Sequence, residues 1–449
     1  MITARLFSGR FIMLKNFYLS FALSLLGSAA SAEINFDKPG SPGLGAELAV
    51  FDSPVRAALP QPEGGRPQAA PAEWTIMVFM NGKNDLEYFA VEDLNEMESV
   101  GSTARINIVV EAGRMDGYDN SDGNWKGTRR YFITRDTDTA HVSSAVVENL
   151  GKVDMGDYKN LAAFGRWAKE KYPAKKYMLI VWNHGSGWKK SVKSSAKGIS
   201  YDAETGNHIN TPQLGLALKE IGKVDVYGSD ACLMQMAEVG YEIKDYADYI
   251  VGSEETEGSD GYPYDTFLAP LAARPEMTSV ELARQAVDAY SAYYKQRGPA
   301  TQSVIKASAL PGLVARVNAW TGAVMAAGLK SAVHTARGDA MTYAMLANKD
   351  LYHFTTLVSY FTTNNAVKKA TEALQTYIEG DLVVYNRYVR QEYPSGGWDY
   401  PADNGQNYAN SHGLAVYVPG SQAVGEGYNE LAWAAASNWD EFLAWQLQP

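Results

Sequence analysis

The sequence predicts an α/β fold, a mainly parallel sheet covered by helices on both faces, with a helical C-terminal region. Three observations lead there. Apolar runs such as Trp74–Met80, Ile106–Val110 and Tyr177–Trp182 lack polar alternation, as strands buried on both faces do. Segments with helical spacing separate those runs, and strands alternating with helices build parallel sheets. From about residue 270 onward the pattern turns mostly helical.

Taken in order, the first 32 residues read as an export signal rather than as part of the fold. Arg5, Arg10 and Lys15 give a basic start, Phe17–Leu26 a short apolar stretch, and Ala30-Ser31-Ala32 a small-residue cleavage site. The apolar stretch is too short to span a bilayer, so export to a periplasm or the medium is expected, with no membrane span. Residues 33–73 are rich in Pro, Gly and Ala and read as a linker or propeptide-like segment. Residues 74–268 carry the strand–helix alternation, and residues 269–449 form the helical C-terminal region that contributes late strands to the core.

Within 74–268, Asn84 and Glu87 have capping-box spacing before a helix. Strands follow at Ile106–Val110 and Arg129–Ile133, and a helical stretch spans residues 159–171. Thr211-Pro212 reads as an N-cap and N1 proline, with Gly222 closing that helix. Val224–Gly228 is the next strand, the segment after Cys232 reads as helical, and Asp248–Gly252 is strand-like. Further on, Thr278 and Glu281 match a second capping box, helices are expected near 311–327 and 364–379, and His412–Pro419 is a late strand that could rejoin the sheet. An aromatic helix around Trp439–Trp445 closes the chain.

A hydrophobic fraction of 46% and a charged fraction of 20% place the 449 residues among ordinary globular chains. Without the three basic residues of the signal, 37 Lys and Arg face 51 Asp and Glu, a formal charge of −14. That sign argues against nucleic acid and anionic membrane as partners and agrees with cationic substrates. Nothing in the sequence calls for more than a monomer.

Cys232 is the only cysteine, and an exported chain cannot staple itself with one thiol. It is either a small buried hydrophobe or a reactive group. His184 lies 48 positions upstream, and both residues stand just past the carboxyl ends of predicted strands. Ligands of open parallel sheets bind there. A thiol opening a helix would gain from the helix dipole, and an imidazole beside it could move protons. Gly185 admits a close backbone approach, so its N–H and that of Cys232 could form an oxyanion hole.

The run Trp182-Asn-His-Gly-Ser-Gly-Trp188, with Ile199-Ser-Tyr-Asp202 and Asp230-Ala-Cys-Leu-Met234, resembles the clostripain family of cysteine peptidases. The likeness continues through Glu238, Tyr241, Tyr246-Ala-Asp248 and Ser253-Glu-Glu255 to Gly261-Tyr-Pro-Tyr264, covering roughly residues 74–268. It implies a caspase-like fold, with Cys232 as nucleophile and His184 as catalytic histidine. It also implies cleavage after Arg or Lys in protein or peptide substrates, with Asp230 holding the P1 cation. Asp230 could instead cap the following helix.

The chain departs from the family pattern in carrying Tyr262 where Trp is usual, which would reshape a pocket wall. Lys189, Lys190, Lys193 and Lys197 follow His184 in a loop where family members can be self-cleaved; a plain exposed basic loop is the alternative. No cofactor is required by this reading. Asp116, Asp119 and Asp122 could supply calcium ligands but complete no known loop motif, and the other histidines have no zinc-ligand spacing. Two rival functions stay open at this point: a related hydrolase or transpeptidase with another P1 preference, and a non-catalytic surface-binding module.

Overall fold

The computed structural model describes residues 71–188, 198–390, 407–420 and 423–448, all within the unit Pro67–Pro449. Its strands are β1 (Ala72–Gly82), β2 (Ile106–Arg114), β3 (Gly127–Phe132), β4 (Val146–Gly151) and β5 (Ala174–Trp182). They continue with β6 (Ile199–Asp202), β7 (Asn207–Ile209), β8 (Val224–Asp230), β9 (Ala247–Gly252) and β10 (Ala300–Lys306). The last are β11 (Asn348–Asp350), β12 (Val383–Val389) and β13 (Ala415–Tyr417).

Nine of these form one sheet in the order β12-β10-β9-β8-β5-β1-β2-β3-β4. The central five, β2, β1, β5, β8 and β9, are parallel. Antiparallel strands extend each edge. The predicted parallel core is therefore present, and it is wider than the sequence indicated.

Alternate residues of β1 enter two separate cores, which is why the run shows no alternation of polarity. Met77 and Phe79 pack under the helices Tyr158–Lys171, Thr211–Ile221 and Ala237–Ile243. Ile76, Val78 and Met80 face the helices Glu87–Val100, Tyr264–Ala273 and Ser279–Tyr294. Helices of the C-terminal region, such as Leu310–Ala326 with its buried Trp320, enlarge the first core.

Local signals were met unevenly. The Thr278–Glu281 capping box forms in full. On the helix Thr211–Ile221 the cap is Asn210, whose side chain and Gln213 make the reciprocal pair, one residue before the expected Thr211. Asn84 and Glu87 make no capping box: Asn84 Oδ1 accepts the Leu86 N–H, while the Glu87 carboxylate meets Arg114 at 2.8 Å. The buried guanidinium offers Glu87 a charge-assisted bond that outcompetes a cap.

The late strand expected at 412–419 forms over Ala415–Tyr417 but pairs with β11 in a ribbon of its own. The chain beyond residue 269 instead adds β10 and β12 to the main sheet. Among the described residues, no helix is long and apolar enough to cross a membrane.

Candidate active site

The carboxyl ends of β1, β5 and β8, three neighbouring strands, converge on one edge of the sheet. Register fixes this: Met80 lies opposite Trp182, and Trp182 opposite Asp230. His184 and Cys232 each stand two residues beyond that level. Asn183 locks the His184 loop, because its Nδ2 donates to the Asn81 carbonyl and its Oδ1 accepts the Tyr201 N–H at 2.6 Å.

The two loops touch at Gly185. A β-carbon there would collide with the Cys232 carbonyl and crowd Ala231, so glycine is required for the close approach. The bridge between Gly185 and Ile199 is made by the Ser186 N–H on the Gly198 carbonyl at 2.9 Å. We expect Gly185→Ala to force the loops apart, costing about 1–3 kcal/mol of stability and much of any activity. A melting temperature and turnover both equal to those of the parent would contradict this packing argument.

Cys232 does not open a helix. The next helix begins at Ala237, and Leu233 turns the chain with φ +65°. A leucine rarely adopts that left-handed conformation, and such strain concentrates at functional sites. The helix dipole expected at the thiol from its own segment is therefore not supplied. Burial pushes the Cys232 thiol up to about 12, opposed by the Glu257 N–H, which donates to Sγ at 3.3 Å. The sulfur is held as a neutral thiol in this state.

His184 is partly exposed, and its Nε2 lies 2.8 Å from Asp85 Oδ1. Asp85 was absent from the sequence reading. It sits in the loop after β1, with no motif spacing to flag it; only the sheet order brings it to His184.

Asp230 ends β8 and caps nothing. Its carboxylate accepts the Tyr262 N–H at 3.2 Å and the Tyr264 hydroxyl at 2.9 Å. It also shares a hydrogen bond with the Glu257 carboxyl. Burial raises Asp230 to about 6, while burial and the Asp230 charge hold Glu257 well above the usual carboxylate range. Asp93, buried nearby and accepting the Trp182 indole N–H at 2.6 Å, is raised by burial and again by Asp230.

Gln302 donates to Glu257 at 3.1 Å, but its own Oε1 is buried without a donor. The Glu257 loop reaches the surface at Thr256 and Gly258. Asp230, Glu257 and Gln302 thus form a buried cluster of acceptors, and the same Glu257 supplies the backbone N–H that meets Cys232 Sγ. Beside Thr256 opens a cleft of ≈ 710 Å³, lined also by Met341, Tyr343, His353 and Tyr408.

Tyr262 is buried beneath Asp230 and is not an open wall. Its hydroxyl donates to the Ser229 carbonyl at 3.1 Å, and its ring packs edge-on against Tyr290. The preceding Gly261 has φ +58°, and a β-carbon on it would come 2.8 Å from Asp230 Oδ1. In the acidic loop Asp116–Asp122, the candidate source of calcium ligands, each carboxylate has a protein partner. Asp116 pairs with Lys126, Asp119 with Arg114 at 2.8 Å, and Asp122 accepts from the Trp125 indole and the Val142 N–H. Among the described residues no group of three or more His, Cys, Asp or Glu could hold a metal ion. Lys189, Lys190, Lys193 and Lys197 lie outside the described residues.

Known proteins share both the sequence pattern and the fold. Clostripain from Hathewaya histolytica is 26% identical over 221 residues, 44% of this chain and 42% of that protein, so the match spans less than half of its length. A secreted C11 cysteine protease from Bacteroides thetaiotaomicron, solved with an irreversible peptide inhibitor, superposes with a TM-score of 0.61 at 23% identity. The superposition covers 82% of this chain and all of that one. An inactive zymogen C11 protease from Parabacteroides distasonis gives a TM-score of 0.58 at 19% identity, over 82% and 98% of the two chains. These establish the caspase-like fold. The sequence profile of the clostripain family matches residues 78–445, from β1 to the last helix; the chain belongs to the clostripain family of cysteine peptidases.

Proposed function

We propose that the protein is an exported cysteine endopeptidase that cuts after Arg or Lys, with Cys232 as nucleophile and His184 as its base and acid. The observation that supports this specificity is the buried acceptor cluster of Asp230, Glu257 and Gln302, which we read as the floor of the P1 pocket. Buried carboxyls sharing a proton, beside an acceptor without a donor, are satisfied by the N–H groups of a cationic side chain. A neutral or acidic side chain would leave them unpaired, which is a strong basis for discrimination.

In this mechanism His184 takes the Sγ proton as sulfur attacks the scissile carbonyl carbon, so no preformed thiolate is needed. The backbone N–H groups of Gly185 and Cys232 hold the oxyanion. The tetrahedral intermediate collapses as His184 returns the proton to the leaving amine, leaving a thioester. Water, deprotonated by His184, then attacks the thioester carbonyl, and the thiol is restored as the acid product leaves. These steps draw on the chain's own groups and require no cofactor.

The pocket makes binding sensitive to pH. Asp230 titrates at about 6, and a P1 cation needs its anionic form. KM for an Arg- or Lys-ended substrate is therefore expected to fall as the pH rises from about 5 to about 7, while an uncharged P1 analogue shows no such trend. A KM flat across that range for the basic substrate would count against the pocket. The same raised value means that the folded chain holds this proton more tightly than the unfolded one. The stability it contributes is present in acid and lost as the pH rises through about 6.

Self-processing at Lys189, Lys190, Lys193 or Lys197 belongs to the same proposal. The hydrogen bonds from Ser186 N–H to the Gly198 carbonyl and from Gly198 N–H to Ser186 Oγ, at 2.9 and 3.1 Å, close the base of that loop. They would hold both new ends after a cut. Removal of residues 1–32 on export completes the mature chain, which we take to act as a monomer. Mapping the termini of purified wild-type and Cys232→Ala protein by mass spectrometry tests this: new ends after these lysines should form only with the thiol present. Identical termini in both proteins would remove self-processing from the account.

A further inference from the structure

We propose that Asp85 is a positioning residue for the reaction, orienting the His184 ring and fixing which of its nitrogens carries the mobile proton. The inference rests on the reading of His184 as base and extends it to a residue that no motif marks.

β1, β5 and β8 are adjacent, and they place an acid, an imidazole and a thiol in that order along their carboxyl ends. His184 Nε2 lies 2.8 Å from Asp85 Oδ1. A carboxylate at this distance accepts the Nε2 proton, so the neutral ring carries its hydrogen on Nε2 and leaves Nδ1 as the free lone pair. Nδ1 is then the atom that takes the thiol proton and later delivers it to the leaving amine. Asp85 remains an anion throughout: the His184 hydrogen bond, followed by the imidazole charge, holds its carboxyl below the usual range, against burial.

The loop that carries Asp85 is also held rigidly. Asp85 is half exposed at its side chain, yet the residues around it are pinned. Lys83 is fully buried between Glu204, at 3.0 Å, and Asp202, at 3.7 Å. Asn84 Nδ2 donates to the Tyr201 carbonyl at 2.8 Å, and Glu87 is bound to Arg114. The strand that receives the Asn84 bond also binds Asn183, the neighbour of His184, through the Tyr201 N–H. One strand, β6, therefore braces both the acid loop and the base loop. The Tyr201 ring stands edge-on to the imidazole at 6.5 Å. A solvated surface ion pair has no use for such a frame, because it contributes little and needs no fixed geometry.

The test is steady-state kinetics of Asp85→Ala against wild type on a Lys-ended fluorogenic peptide, from pH 5 to 9, with melting temperatures alongside. We expect kcat to fall roughly 10- to 100-fold across that range with KM within about twofold and an unchanged melting temperature. An unchanged kcat or a change in KM alone would overturn the positioning role. A wild-type protein that fails to cut the peptide, or a Cys232→Ala protein that cuts it equally well, would instead overturn the underlying peptidase reading.

Discussion

Cys232→Ala is expected to reduce hydrolysis of an Arg- or Lys-ended peptide by roughly 10⁴-fold or more, to the background of the assay. The size follows from the absence of any substitute in the described site. Cys232 is the chain's one thiol, and the covalent path has no other sulfur to use. The substitution is also clean. The side chain is only partly buried, its hydrogen-bond contacts are with the Glu257 N–H and carbonyl, and alanine keeps an apolar group against the core and the backbone of the turn at Leu233. Folding should survive, as a melting temperature within a few degrees of the parent would verify. Turnover that persists in the folded variant would remove Cys232 from the chemistry.

The second large effect is at Asp230. Asp230→Asn retains an acceptor for the Tyr262 N–H and the Tyr264 hydroxyl but removes the charge. The ratio kcat/KM on basic substrates should fall by roughly 10²- to 10³-fold, the scale of stranding one partner of a buried charge pair. Alkylation of Cys232 by a small uncharged reagent should be unaffected, since that reagent never enters the pocket. Asp230→Ala should show the same selectivity with a greater loss of stability, because it leaves the two donors unpaired. Equal loss on basic and uncharged substrates would mean that Asp230 serves the fold and not the P1 side chain.

The contrast between Asp230 and Asp85 shows what can be read from one chain. Asp230 is two residues from Cys232, so local sequence names it. Glu257 and Gln302 join it from the loop after β9 and from β10, and nothing in their own neighbourhoods announces a pocket. β10 itself, Ala300–Lys306, shows no apolar run, because Thr301, Gln302 and Ser303 fill its middle. Their side chains are buried all the same, at 1% exposure each. Ser303 and Thr301 spend their hydroxyls on partners such as Gln235, the Gly413 carbonyl and Ser253. Burial of satisfied polar groups is invisible to hydrophobic periodicity.

β1 and β5 from Tyr177 onward were legible for the opposite reason: two cores on two faces demand apolar side chains at nearly every position. Helix propensity misled after Cys232. Leu233, Met234 and Gln235 favour a helix, but the Leu233 N–H is drawn to the Glu255 carbonyl and Gln235 N–H to that of Ser253, at 3.0 and 2.9 Å. Those bonds hold the segment against the loop after β9. Tertiary bonds of this kind override local preference, and here they shape the turn that carries the thiol.

The most direct test of the whole account is a peptide-library digest by the purified protein at about pH 7, with Cys232→Ala in parallel and every product terminus assigned by mass spectrometry. The account predicts cuts on the carboxyl side of Arg and Lys in the wild-type digest and none with the variant. Cuts after uncharged or acidic residues, or the same cuts with both proteins, would contradict it.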